Sequence, residues 1–270
     1  MAAKNVLARS GAKPLIMGIV NVTPDSFSDG GLFAGADAAL LRAKKMVEEG
    51  ADLIDIGAES TRPGFTPISA EAEWARLEAP LAAILRENIA PVSVDTTKAE
   101  IARRAVALGA AIINDVSGLH GDPALAEVSA ESGAALVVMH HCAEADPARD
   151  ILEDMRAFFA RALARAEQAG VRRENIILDP GVGFGKTFEQ NLVAATSAGA
   201  LKKIFGLPVL VGLSRKRFIG AITGAPVERR LAGTLAADLA ALHAGADILR
   251  VHDVAEHADA IKVWSALVRA

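Results

Sequence analysis

The chain has 270 residues, of which 51% are hydrophobic and 23% are charged, and its formal net charge is −4. This composition is typical of a globular protein, and the lack of a dominant basic charge argues against a nucleic-acid partner. No apolar run reaches the ~18 residues of a membrane span. No linker-like stretch divides residues 1–270, so we expect a single domain without a membrane partner.

The cysteine content and the N-terminal segment bear on the compartment. Cys142 is the only cysteine, so an intramolecular disulfide is impossible, which fits a reducing compartment. The segment before Pro14 contains Lys4, Arg9 and Lys13 but lacks the apolar run of a signal peptide. We therefore expect a cytoplasmic protein.

The predicted strands share one pattern, in which a Gly-Ala pair precedes a short apolar run that ends in a polar residue. Each glycine follows a helical pattern, where a residue at positive φ commonly ends the helix. The runs have the length and composition of strands buried on both faces. Four have the full pattern (residues 50–57, 109–116, 133–140 and 245–253), and four lack the Gly-Ala pair (residues 15–20, 92–94, 176–178 and 209–213).

Amphipathic segments lie between these runs and predict helices. One is expected to begin at Asp37 as its N-cap, to place Leu40, Ala43 and Val47 on one face, and to end at Gly50. A second predicted helix carries a stripe of Leu231, Leu235, Leu239 and Leu242.

Alternation of eight strand candidates with helices predicts a parallel sheet of the α/β class. Eight such units close as a (β/α)₈ TIM barrel, and an open doubly wound sheet is the alternative. The number and length of the strands favour the barrel, in a single domain.

Polar residues gather at the predicted C-terminal ends of the strands, where parallel barrels place their chemistry. They suggest a polar pocket and are Asn21, Asp95, Asn114, His140, Asp179, Ser214, Arg250 and His252. The segment after strand one, NVTPDSFSDGG (residues 21–31), favours turns, but its length for a compact barrel indicates function.

Two cations are expected on one face of strand eight. Arg250 and His252 are two residues apart, so alternation places both on the same side, where they require an anion. Loops after strands seven and eight commonly bind phosphate in barrels. The segment SRKR (residues 214–217) adds three cations after strand seven, although a solvated helix start is the alternative for it.

Two further motifs resemble known ligand sites without satisfying them. GVGFGKT (residues 181–187) lacks the first glycine of a nucleotide-binding loop because Pro180 stands there, and its small residues instead allow backbone to approach a flat ligand. His140, His141 and Cys142 resemble zinc ligands, but adjacent residues rarely point at one ion and a fourth ligand is missing, so zinc is not favoured.

Seven motifs in order along the chain resemble those of the dihydropteroate synthases. They are NVTPDSFSDGG, ESTRPG (residues 59–64), SVDTTK (93–98), INDVSG (113–118), LDPGVGFGK (178–186), SRK (214–216) and RVHD (250–253). The resemblance implies a (β/α)₈ barrel, usually a homodimer, that is a transferase of folate biosynthesis. It condenses 6-hydroxymethyl-7,8-dihydropterin diphosphate with p-aminobenzoate and uses Mg²⁺.

The resemblance also implies roles for individual residues. The pterin would be held by Asp95, Asn114, Met139, Asp179 and Lys216. The diphosphate would be held by Asn21, Arg62, Arg250 and His252, with the Asn21 amide also binding Mg²⁺. The p-aminobenzoate site would comprise Thr61, Phe184, Ser214 and Lys216. The catalytic residues would be Asp95, Lys216, Arg250 and His252.

One segment departs from the family pattern, and two other functions remain open. The family usually continues after strand five with a Met-Gln-Gly-x-Pro-like segment, whereas here Met139 and His140 are followed by His141, Cys142 and Ala143. One alternative is a methyltetrahydrofolate-type methyltransferase, which would have no use for a diphosphate site. The other is a non-catalytic paralogue that binds pterin only.

Overall fold

The computed structural model describes residues 13–22, 31–59 and 67–268, which form a barrel of eight parallel strands surrounded by helices. The strands are β1 (Leu15–Asn21), β2 (Leu53–Gly57), β3 (Val92–Asp95), β4 (Ile112–Asp115), β5 (Ala135–Met139), β6 (Ile176–Asp179), β7 (Leu210–Val211) and β8 (Ile248–Val251). The helices are α1 (Gly31–Glu49), α2 (Ala70–Glu87), α3 (Ala99–Leu108), α4 (Ala124–Ser132), α5 (Ile151–Gln168), α6 (Phe188–Ala195), α7 (Ala198–Phe205), α8 (Arg217–Thr223), α9 (Leu231–His243) and α10 (Val254–Val268), with 3₁₀ turns at Arg173–Asn175 and Val227–Arg229.

The strand order shows that the sheet closes on itself. Seven neighbouring pairs form the order β6-β5-β4-β3-β2-β1-β8-β7. The remaining gap is closed by a parallel bridge between Leu178 and Val209, beside which the Leu178 amide donates to the Pro208 carbonyl at 2.9 Å. The predicted (β/α)₈ barrel is therefore confirmed, and the open doubly wound sheet is excluded.

The glycines of the repeated pattern have the predicted conformation. Gly50, Gly109, Gly133 and Gly245 all have positive φ, between 71° and 117°. Each lies at or just beyond the end of a helix, where a side chain would strain the backbone. They let the chain turn sharply from each outer helix into the next strand.

The predicted start of the first helix is wrong. Helix α1 begins at Gly31, so Asp37 lies within it and is exposed. Ala36 is buried one residue before Asp37, which extends the apolar face towards the N-terminus. Ala43 is fully buried as predicted, whereas Leu40 and Val47 are only partly buried at the edge of the face.

The leucine stripe of α9 flanks its buried face. Leu242 is buried, but the other buried positions are Thr234, Asp238 and Ala241. A polar residue can occupy this face because Asp238 Oδ2 lies 2.9 Å from His257 Nε2 on α10. The pattern of apolar residues could not reveal a buried position whose partner lies on another helix.

The interior of the barrel changes character along its axis. Its lower part is apolar and includes Leu53, Ile112 and Ile248, all buried. Side chains alternate across a strand, so the next inward positions towards the C-terminal ends are Asp55, Asn114 and Arg250. The fold thus brings polar groups together above an apolar floor.

Candidate active site

Strand register aligns the polar residues of the first four strands. Asn21 pairs with Gly57, Gly57 with Asp95, and Asp95 with Asn114. A Cβ atom at Gly57 would lie 3.2 Å from Asp95 Cβ, so glycine gives the carboxyl group room. Asn21, Asp95 and Asn114, predicted separately from three motifs, lie in one row at the C-terminal rim.

Arg250 forms the centre of a charged cluster with Asp55, Asp95 and Asn114. Its Nε donates to Asp55 Oδ2 at 2.7 Å, and its Nη2 donates to Asp95 Oδ2 at 2.8 Å. Asn114 Nδ2 donates to the same Asp55 oxygen at 3.3 Å. The anion that the sequence required for Arg250 is therefore supplied by the protein itself.

Burial controls the electrostatics of this charged cluster. Burial raises the pKa of Asp95 to about 7, against the opposing effect of Arg250 and with a further increase from Asp55. Burial disfavours the charged form of Arg250, but Asp55 and Asp95 outweigh it and raise the pKa of the guanidinium. Asp95 therefore titrates near neutral pH, while Arg250 stays a cation.

Two carboxylate oxygens of the charged cluster remain available as acceptors. Asp55 Oδ1 and Asp95 Oδ1 are buried and accept no hydrogen bond from the described residues. Leaving a buried acceptor unpaired costs about 1–3 kcal/mol. A ligand that presents N–H donors at this position would remove that cost.

Asp179 and Lys216 form a second charged pair of residues across the rim from the cluster. Burial raises the pKa of Asp179, and the nearby Lys216 opposes that rise. Burial lowers the pKa of Lys216 to about 8, and Asp179 opposes that fall. The Lys216 ammonium donates to the Val182 carbonyl and lies 4.8 Å from the centre of the Phe184 ring. Lys216 and Phe184, predicted to share one subsite, are therefore in contact.

His252 and Ser214 connect the loops that follow β8 and β7. Ser214 Oγ lies 2.9 Å from His252 Nδ1 and also accepts from the His252 amide. The His252 carbonyl accepts from Arg42 Nη2 at 2.7 Å. His252 follows Val251, the last residue of β8, so it lies one residue beyond the strand on which it was predicted.

Only one of the three cations in the SRKR segment points into the site. Arg215 forms a bidentate pair with Asp253, and Arg217 is exposed. Arg230 Nη1 donates to the Arg215 carbonyl at 3.0 Å and thereby holds the loop. Lys216 is thus the member of the segment that carries charge to a ligand.

The glycines of residues 181–187 serve the protein's own backbone rather than a flat ligand. A Cβ atom at Gly181 would lie 1.7 Å from the His140 carbonyl oxygen, and one at Gly185 would lie 1.9 Å from that of Cys142. Both have positive φ. Only Gly183, whose Cβ would be 3.4 Å from Lys216 Cδ, lies against a residue of the site.

His140 does not belong to the rim, contrary to its place among the strand-end residues. Met139, the last residue of β5, pairs with Asp179 and is buried. The next side chain alternates outward, and the His140 ring packs 4.8 Å from the Phe158 ring on α5. Met139 is therefore placed beside Asp179 as a wall residue, and His140 faces the helices.

Asp55 is the residue of the site that the sequence analysis missed. It lies in the middle of β2, is fully buried, and contacts both Arg250 and Asn114. The signal was present, because an acid at an inward position of an otherwise apolar strand needs a buried partner. Asn21 is exposed at the end of β1, whereas Thr61 and Arg62 lie outside the described residues.

The fold and the rim define a barrel enzyme whose pocket suits a polar small molecule. Residues 17–252 match the family model described as pterin binding enzyme. A dihydropteroate synthase of Bacillus subtilis is 45% identical over 95% of this chain and 89% of the relative.

Solved structures agree with the sequence match. A Xanthomonas albilineans dihydropteroate synthase with 4-aminobenzoic acid is similar at a TM-score of 0.90 and 43% identity, covering 96% of this chain and 94% of that one. The enzyme of the same organism in complex with 7,8-dihydropteroate gives a TM-score of 0.86 and 41% identity, covering 96% and 95%. The chain therefore belongs to the dihydropteroate synthase family of pterin-binding enzymes, and it is a transferase.

Proposed function

We propose that this enzyme condenses 6-hydroxymethyl-7,8-dihydropterin diphosphate with p-aminobenzoate, giving 7,8-dihydropteroate and diphosphate. The observation that carries the proposal is the charged cluster, in which two buried carboxylate oxygens accept no hydrogen bond from the described residues. The amino-pyrimidine edge of a pterin supplies several N–H donors. Membership of the family and the ligands named for its relatives support the same reaction.

The pterin would lie across the rim between β3 and β6. Asp95, Asn114 and Asp179 would bind its polar edge, Met139 would contact its face, and Lys216 would lie at its ring. Asp95, Asn114, Met139 and Asp179 lie at or one residue before the ends of their strands, which keeps their geometry rigid, and Lys216 directly precedes α8.

The diphosphate would be bound by Asn21, Arg62, Arg250 and His252. Arg250 uses Nε and Nη2 for the two aspartates, and none of the described residues accepts from its Nη1. That nitrogen would donate to a phosphate oxygen. The amine substrate would occupy the subsite of Thr61, Phe184, Ser214 and Lys216, next to the diphosphate because Ser214 bonds to His252.

Mg²⁺ would be held by Asn21. The Asn21 amide is exposed at the end of β1 and is aligned through Gly57 with Asp95, which suits a hard cation that keeps most of its waters. When bound, the ion supplies positive charge for the departing diphosphate.

The order of bond changes would be dissociative. The bond between the exocyclic carbon and the bridging oxygen breaks first, and its electron pair leaves with diphosphate. The positive charge left on the pterin methylene is stabilised by the electron-rich ring, with the Asp95 carboxylate nearby. The amine nitrogen then forms the new C–N bond and loses a proton.

A homodimer in the cytoplasm completes the proposal. The C-terminal helix α10 exposes Val263 and Leu267 at 62% and 72%, and α8 exposes Ile222 at 60%. Burying such side chains against a second copy would remove apolar surface from water. Light scattering during gel filtration tests the dimer, and a monomer at micromolar concentration would contradict it.

None of the helices within the described ranges has the length and apolar character that a membrane-spanning segment needs.

The reaction is tested by diphosphate release from the pterin diphosphate with Mg²⁺, with and without p-aminobenzoate. We expect turnover to need the amine and to collapse in Lys216→Ala and Arg250→Ala, while Arg217→Ala retains it. Pterin binding without any release would instead indicate the non-catalytic paralogue. Methyl transfer from a methylated folate, without diphosphate chemistry, would indicate the methyltransferase.

The order of bond cleavage and bond formation is tested with substrate that carries ¹⁸O in the bridge between the exocyclic carbon and the diphosphate. Cleavage before attack predicts that the label moves to non-bridging positions in substrate recovered from incubations without the amine. Retention of the label at the bridge under conditions of full binding would contradict a dissociative first step.

A further inference from the structure

The loop after β5 and the first turn of α5 bring three metal-binding side chains together. His140 Nε2 lies 3.0 Å from Asp154 Oδ2, Cys142 Sγ lies 3.4 Å from the same oxygen, and Cys142 Sγ lies 3.9 Å from His140 Nε2. We call these three residues the β5 cluster. One nitrogen, one sulfur and one oxygen thus form a small triangle.

The size of this triangle fits one face of a zinc coordination tetrahedron. Zinc bonds of about 2.0–2.1 Å to nitrogen or oxygen and about 2.3 Å to sulfur, at tetrahedral angles, separate the ligand atoms by about 3.3–3.6 Å. Of the three observed separations, 3.0 Å lies below that range, 3.4 Å lies within it and 3.9 Å lies above it. Shifts of a few tenths of an ångström would place all three atoms around one ion.

The backbone explains why these side chains converge although the sequence argued against zinc. His140 and Cys142 are two apart and both approach the same Asp154 oxygen, whereas His141 is not a member of this group of ligand atoms. Asp154, in the first turn of α5, supplies the third ligand atom from another element. The ion would therefore not need two adjacent residues as ligands, and a ligand that the sequence did not reveal comes from a helix.

The environment suits a divalent cation of intermediate softness. The His140 ring is fully buried, and a neutral imidazole nitrogen is the form of histidine that binds a metal ion. A Cys142 thiolate and the Asp154 carboxylate would balance the charge of Zn²⁺. Lys186 donates to the His140 carbonyl at 3.4 Å, and Arg149 Nε lies 3.9 Å from Asp154 Oδ2, so both cations weaken binding without blocking the triangle.

We propose that the β5 cluster binds Zn²⁺ through His140 Nε2, Cys142 Sγ and Asp154 Oδ2, with water as the fourth ligand. This site is separate from the Mg²⁺ position proposed at Asn21, because His140 faces the helices rather than the rim. The ion joins the segment after Met139 to α5. It thereby fixes the backbone against which Gly181 and Gly185 of the Asp179 loop pack.

Cobalt provides a direct test on the full-length, chelator-treated protein. Co²⁺ bound to the β5 cluster is expected to give a sulfur-to-metal charge-transfer band and intense visible bands typical of tetrahedral coordination, both removed by one equivalent of Zn²⁺. Cys142→Ser should abolish the charge-transfer band, Asp154→Asn should weaken the intense visible bands of tetrahedral coordination, and each should raise the Kd for Zn²⁺ by roughly 100-fold, at or above the upper end of what loss of an outer-shell partner costs. The matched control is Glu144→Gln, an exposed carboxylate of the same loop outside the triangle.

Two results would overturn the proposal. The first is a cobalt complex of the unmodified protein without a charge-transfer band, which needs no variant and so holds even if Cys142→Ser misfolds. The second is Zn²⁺ affinity unchanged in both ligand variants. Asn21→Ala separates the two metal sites, because the proposal requires the cobalt spectrum to survive that change.

Discussion

The barrel interior contains two layers of side chains that come from the same strands but differ in chemistry. In the lower layer Leu53, Ile112 and Ile248 pack together and are buried. Two residues further along the same three strands stand Asp55, Asn114 and Arg250, which are joined by hydrogen bonds. One step of strand alternation therefore separates a layer that stabilises the fold from a layer that holds the site.

The difference lies in what each layer needs from its neighbours. Apolar side chains of the lower layer gain stability from any partner of suitable volume. The polar groups of the upper layer lose hydration on burial, and only specific partners compensate for the free energy that this loss costs. Arg250, for example, forms ion pairs with two aspartates. A substitution in the upper layer should therefore affect both stability and turnover, whereas one in the lower layer should affect stability alone.

Arg250→Met should give the largest effect on turnover. It leaves Asp55 and Asp95 as buried carboxylates without their cation, so we expect about 3 kcal/mol less stability in urea unfolding. Turnover should fall by about 10²–10³, as when one preorganised donor is removed from an active site. Steady-state diphosphate release, corrected for folded protein, measures the second effect.

Two further variants show whether these losses come from charge. Combining Arg250→Met with Asp55→Asn removes one unpaired charge and should restore part of the stability but none of the turnover. Arg217→Ala, which removes an exposed arginine at the start of α8, should change neither quantity. Full stability of Arg250→Met on its own would contradict the account of the upper layer.

The strands and the rim were predictable because local chemistry determines them. Short apolar runs after a glycine could only be buried strands, and Gly50 and Gly109 indeed have positive φ. Asp95, Asn114 and Asp179 each stand at the end of a short apolar run, with or without a preceding glycine, so parallel topology was sufficient to bring them to one edge of the barrel. The barrel and this part of its rim thus follow from the order of residues along the chain.

Partners that are distant in the chain were not predictable. Asp55 was overlooked within an apolar strand because Arg250, 195 residues away, is what makes its burial tolerable. Asp154 could not be assigned to His140 and Cys142 because it lies on the following helix, and only the path of the intervening loop brings it back to them. Asp37 was taken for an N-cap because a helix start is judged from one residue, whereas burial of Ala36 extends the helix beyond it.

The pH profile of turnover should show that two groups of the site, Asp95 and Lys216, titrate near neutral pH. Asp95 loses its negative charge as pH falls below its pKa of about 7, and Lys216 loses its positive charge as pH rises above its pKa of about 8. We therefore expect kcat/KM to be highest between these values and to fall about tenfold per pH unit on either side.

Two variants test whether the fall of kcat/KM at high pH, the upper limb of the profile, comes from Lys216. Lys216→Arg should move it to higher pH, because arginine stays charged. Lys186 also has a pKa of about 8, so Lys186→Arg is the matched control and should leave the limb in place. The substrates titrate equally in all variants, so a limb that moves only in Lys186→Arg would refute the assignment to Lys216.

Leu53→Ala should have the smallest effect on turnover and so defines the boundary between the layers. Leu53 is buried in the lower layer, and truncating it should cost about 2–5 kcal/mol of stability through lost contacts and a residual cavity. Asp55, two residues further along β2, keeps its bonds to Arg250 and Asn114 if the strand does not move. We therefore expect kcat/KM per folded molecule to stay within about twofold of the unmodified enzyme, since no charge is exposed or left unpaired.

Leu41→Ala on the outer face of α1, where the side chain is 71% exposed, controls for loss of an apolar group without a cavity. A tenfold loss of kcat/KM in Leu53→Ala but not in Leu41→Ala would show that the apolar floor positions the charged cluster, and that the two layers act as one unit.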